Sequence, residues 1–116
     1  MIRVRLAKRG ETCVLHAVGH AGYGPRGADV VCAAVSAAVG MLLAGLEACE
    51  VRELTVSRGE GEVYLSFGGA EGEALWRACR VYLEALAGKY PENVEVLPSG
   101  EFRKISAGRK SIGWNI

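Results

Sequence analysis

Apolar and charged residues alternate from the first positions: Ile2, Val4 and Leu6 are separated by Arg3 and Arg5. A two-residue period of this kind marks a strand with one buried face. Lys8-Arg9-Gly10-Glu11 reads as a turn, and Thr12 to Val18 as a second strand in a hairpin with the first. By the same period, Val14, His16, Val18 and His20 fall on one face. Residues 19–28 carry four glycines and a proline and read as a loop. From Val30 to about Ala48 the pattern becomes a helix that is apolar nearly all round: Val30, Val31, Val35, Val39, Met41, Leu42, Leu43 and Leu46, with alanines between. A helix without a polar face must be covered on more than one side. In so small a domain a sheet covers one side and a second subunit the other, so the pattern predicts a homodimer.

Two further strands are expected at Val51–Val56 and Val63–Phe67, joined by the turn Ser57-Arg58-Gly59-Glu60-Gly61. A second helix, about Glu71 to Ala87, has a stripe of Leu75, Cys79, Tyr82, Leu83 and Leu86 opposed by Glu73, Arg77, Arg80 and Glu84. Gly88 is expected to end it at C′, with Pro91 beyond. Asn93 to Leu97 forms a fifth strand, and Phe102 to Ile105 a short sixth after Pro98-Ser99-Gly100. The order ββαββαβ predicts an α+β domain over residues 1–98: a largely antiparallel sheet of five to six strands packed with two helices. Residues 99–116 are a C-terminal extension.

At 116 residues the chain has room for one core. A net charge of +1 removes the case for nucleic-acid binding by the whole domain. Only the extension is basic, where Arg103, Lys104, Arg109 and Lys110 face Glu101, with Phe102 and Trp114 nearby. The N-terminus has no apolar signal-peptide core. The uncharged run Val30–Leu46 is alanine-rich and broken by Gly40 and Gly45, which favours a buried helix over a membrane span. A cytoplasmic protein is expected.

The cysteines Cys13, Cys32, Cys49 and Cys79 form no CxxC and no zinc spacing, so no metal or cofactor is expected and the thiols stay reduced. Cys32 differs in its neighbourhood. It falls in the first helical turn behind a glycine-rich loop that begins at His20. A thiolate is the nucleophile where a thiol is not, and a helix N-terminus and a nearby imidazole both favour the thiolate. His16 is the weaker candidate base, inside its strand. Asp29 is either the helix N-cap or the group that orients His20. Gly22, Tyr23, Gly24, Pro25, Arg26 and Gly27 form either a lid over substrate or a tight surface turn. Backbone N–H groups at the helix start, that of Cys32 included, are candidate oxyanion donors.

Gly19-His20-Ala21-Gly22, a variable glycine-containing loop, and Asp29-Val30-Val31-Cys32-Ala33-Ala34-Val35-Ser36 resemble the double motif of the ribosomal-processing cysteine protease family (Prp). The likeness extends over about residues 1–97 in its element order. It implies a cytoplasmic, dimeric endopeptidase with Cys32 as nucleophile and His20 as base. Its substrate would be the short N-terminal extension of a large-subunit ribosomal protein. The alternative reading is a non-catalytic, ribosome- or RNA-associated dimeric binding module working through the basic tail.

Overall fold

The computed structural model describes residues 1–97. The expected sixth strand and the basic extension lie outside the described residues. Within them the order is β1 (Ile2–Arg9), β2 (Thr12–Val18), α1 (Val30–Ala48), β3 (Thr55–Gly59), β4 (Glu62–Gly68), α2 (Ala70–Lys89) and β5 (Val94–Leu97). The α+β class and the ββαββαβ order agree with the sequence pattern.

The sheet order is β3-β4-β2-β1-β5. Three pairings are antiparallel, and β5 returns parallel to β1, so the sheet is mixed. One face carries Ile2, Val4, Leu6, Cys13, Leu15, Ala17, Leu65, Phe67 and Val94, all buried. Both helices pack on this face and complete a single core. Gly72 shows how tightly: a Cβ there would stand 3.0 Å from Phe67 of β4 and 3.5 Å from Leu46 of α1. Trp76, at 1 % exposure, is the largest fully buried side chain among the described residues, and its Nε1–H donates to the Val14 carbonyl at 3.0 Å. The stripe expected on α2 does not include it, yet it is buried in one row with Cys79, Leu83 and Leu86, whereas Leu75 and Tyr82 are only partly buried.

The third strand is displaced. It runs over Thr55–Gly59 instead of Val51–Val56. Glu50 and Glu53 take left-handed φ angles of 53° and 59°, which break an extended run. The Val51 N–H instead returns to the Leu46 carbonyl at 3.1 Å, and Val51 and Leu54 pack against the core from a loop. The β3–β4 turn shortens to Glu60-Gly61, with Gly61 at φ 66°. At the end of α2, Gly88 and Lys89 remain helical and Tyr90 is the C-cap at φ −125°. The residue before a proline is pushed out of helical space, and Pro91 supplies that push.

By length and composition α1 would be able to cross a membrane. In this fold it is a core helix, with Val31, Val35, Val39, Leu42 and Leu46 buried. Val30 and Met41 on its outer side are 59 % and 73 % exposed.

Candidate active site

β2 ends at Val18, and Gly19 turns the chain with φ 107°. A Cβ at Gly19 would lie 2.3 Å from the Met1 carbonyl oxygen, so only glycine fits there. This turn breaks the strand alternation and separates two histidines that the two-residue period had placed together. His16 stays on the outer sheet face, its Nε2 2.6 Å from Glu62 Oε2 and its ring edge-on to Tyr64. His20 is carried round to the helix side, exposed and lying against Gly61. A Cβ built on Gly61 would be 2.9 Å from His20 Nε2.

Cys32 is half-buried at the third position of α1. Its Sγ accepts the Ala21 N–H at 3.3 Å, and among the described residues no hydrogen bond joins it to His20. The two side chains instead share a cavity. One hollow of about 350 Å³ runs from His20 and Cys32 along Val35, Ser36, Val39 and Gly40 toward Arg58 and Val63. A second, of about 390 Å³, lies under the loop and is lined by Gly22, Gly24, Arg26 and Asp29. Both include His20, Cys32 and Ser36, so the pair sits at the waist of one cleft.

Asp29 is 8 % exposed and holds the N-terminus of the helix. Oδ1 accepts from Val31 and Cys32 at 2.9 and 3.0 Å, and Oδ2 from Tyr23 and Gly24 at 2.8 and 3.0 Å. Burial would raise its pKa, but four N–H donors outweigh that and hold the carboxyl below the usual carboxylate range. Four bonds use the acceptor capacity of both oxygens, and His20 is not among the partners. The carboxylate therefore caps the helix and pins the loop.

The same contacts correct the expected oxyanion donors. The N–H groups of Val31 and Cys32 are bound to the Asp29 side chain and that of Ala33 to its carbonyl at 3.1 Å. These three donors of the helix start, that of Cys32 among them, are already satisfied. Loop 22–28 is also tied down. The Tyr23 ring stands edge-on to Tyr90 with centroids 5.2 Å apart, Arg26 pairs with Glu60, and the Ala28 N–H closes on the Pro25 carbonyl at 2.9 Å.

The other cysteines sit elsewhere. Burial pushes Cys79 up to about 12. Cys13 is raised by burial and then by the charge of Glu73, and Cys49 by burial and then by Glu71. Among the described residues no cluster of three His, Cys, Asp or Glu side chains is placed to hold a metal. One contact has no signal in the sequence: Asn93 Nδ2 donates to the Ala21 carbonyl at 2.9 Å.

Known proteins bear on this arrangement. A ribosomal processing protease Prp from Staphylococcus aureus, solved with a covalently linked product peptide, superposes with a TM-score of 0.75 at 21 % identity. That match covers 83 % of this chain and 97 % of the other. The same enzyme with a substrate peptide gives 0.68 at 19 % identity, over 84 % and 98 %. SMU.848 from Streptococcus mutans gives 0.64 at 27 % identity, over 83 % and 91 %. These likenesses share the fold. No curated protein matches the sequence. Residues 1–95, which include the strand, loop and helix of the cleft, match the family described as cysteine protease Prp, and the chain belongs to that family of cysteine proteases.

Proposed function

We propose that this chain removes a short N-terminal extension from a large-subunit ribosomal protein, with Cys32 as nucleophile and His20 as its base. The observation that carries the proposal is the cleft: it extends to both sides of Cys32 and His20, as an extended peptide crossing a scissile bond requires. The Staphylococcus aureus enzyme of the same fold is a ribosomal processing protease that takes a peptide. In the acyl-transfer sequence His20 accepts the thiol proton and Cys32 attacks the scissile carbonyl. The leaving amine then departs with that proton, and water hydrolyses the thioester. His20 and Cys32 line the same cavity without a direct bond, which is common before substrate tightens a catalytic pair.

We also infer a homodimer formed through the outer face of α1. Val30 and Met41 are exposed there, beside a hollow of about 360 Å³ lined by Ala34, Ala37, Ala38, Leu75 and Tyr82. The test of function is to mix the protein with the precursor ribosomal protein and sequence the product. A single cut that leaves the mature N-terminus supports the proposal. Stable binding without a cut favours a binding module instead.

A further inference from the structure

A peptidase must hold the negative charge that develops on the carbonyl oxygen as sulfur attacks. Three donors at the start of α1, that of Cys32 included, are engaged elsewhere, because Asp29 occupies the N–H groups of Val31, Cys32 and Ala33. One backbone donor points at the reacting atom instead: the Ala21 N–H, 3.3 Å from Cys32 Sγ. Ala21 is held through its other peptide, the one it forms with Gly22, so the donor is fixed across the Ala21 Cα. Asn93 Nδ2 donates to the Ala21 carbonyl at 2.9 Å, with Ala21 itself only 2 % exposed. Asn93 is anchored in turn, its N–H on the Tyr90 carbonyl at 3.0 Å and its carbonyl accepting the Ile2 N–H at 2.9 Å.

We propose that the Ala21 N–H is the hydrogen-bond donor of the reaction, holding charge first on Cys32 Sγ and then on the substrate oxyanion, and that Asn93 is the positioning residue that aims it. This rests on the peptidase reading. In the first step a sulfur lone pair forms the S–C bond, the carbonyl π pair moves to oxygen, and the thiol proton goes to His20. The oxygen is then two bonds from sulfur, within the reach of a donor already directed at sulfur. On collapse the oxygen pair re-forms the carbonyl, the C–N bond breaks, and the amine takes the proton from His20. A thioester on Cys32 remains for water to hydrolyse.

The test replaces the His20–Ala21 amide with an ester in the full-length chain, assembled by ligation at native cysteines. This removes the N–H and keeps every side chain. Two quantities are read: the pH inflection of Cys32 alkylation by iodoacetamide, and kcat on the precursor. Loss of an oxyanion donor lowers kcat by roughly 10²- to 10³-fold. Loss of a hydrogen bond to the thiolate raises the inflection by about one unit. Asn93→Ala moves both in the same direction, by about tenfold in kcat with KM little changed. Leu86→Val, a core change chosen to soften the fold, leaves the inflection in place. An ester protein within twofold of wild type in kcat, with the same inflection, overturns the proposal. So does a Leu86→Val shift equal to that of Asn93→Ala. If wild type cuts no precursor while the ester still moves the inflection, the donor assignment to sulfur stands and the peptidase reading falls alone.

Discussion

The His20 ring rests on Gly61, so close that a Cβ on Gly61 would meet Nε2 at 2.9 Å. The proposed base is thus placed by two glycines: Gly19 turns His20 off the strand, and Gly61 leaves room for it in the β3–β4 turn.

Gly61→Ala follows from this contact. The new methyl displaces the imidazole, and φ 66° is unfavourable for alanine. Since a positioned base contributes about 10²- to 10⁴-fold, kcat is expected to fall at least about tenfold. Thermal melting run beside the peptide assay separates this from lost stability: activity should be lost at temperatures where the variant is still folded.

How much of this was legible in the sequence depended on distance along the chain. The alternation of Ile2, Val4 and Leu6 located β1, and the Asp29-to-Cys32 spacing located the helix start, because both are local. The left-handed Glu50 and Glu53 carry no glycine to announce them, so β3 was placed too early. Gly19 was visible as a loop glycine, but its φ of 107°, which sends His16 and His20 to opposite sides of the sheet, was not. The Asn93–Ala21 bond joins positions 72 apart and follows from the parallel return of β5 beside β1. No periodicity could show it.

Gly40→Ala tests the cleft wall. Nothing lies within 4 Å of a Cβ at this helical position, so alanine fits. It should stabilise the fold by about 0.5–1 kcal/mol through helix propensity. Gly40 also lines the hollow beside Cys32, so the added methyl should raise KM for an extended peptide. A variant with a higher Tm and a weaker KM is the expected outcome.

Asp29→Asn tests the anchor. The charged acceptor of four N–H groups is lost, and Tm should fall by about 5 °C or more. The folded carboxyl titrates below its ordinary value. Its contribution is therefore full above the unfolded value of about 3.9 and disappears as pH falls through the folded one. The stability gap between wild type and variant, followed by melting across acid pH, should close in that window.

Met41→Asp tests the dimer. The side chain is 73 % exposed in the single chain, so the substitution leaves the core alone. A charge buried between two copies would be unpaired. Sedimentation velocity should show a dimer for wild type and a monomer with an unchanged circular dichroism spectrum for the variant.

Thiol labelling at neutral pH should report the difference among the cysteines. Cys32 is half-buried in the cleft, whereas Cys13 and Cys79 are buried and burial holds both thiols up. Iodoacetamide followed by peptide mapping is expected to find Cys32 modified first and Cys79 last in the folded protein.

The nucleophile assignment is tested most directly by one cleavage comparison on the precursor ribosomal protein. Cys32→Ala is set against a chain in which Cys13, Cys49 and Cys79 are all alanine and Cys32 is kept. The triple variant, where it folds, should cut at the wild-type bond, and Cys32→Ala should leave the precursor intact. Cleavage by Cys32→Ala at the wild-type rate would contradict the account.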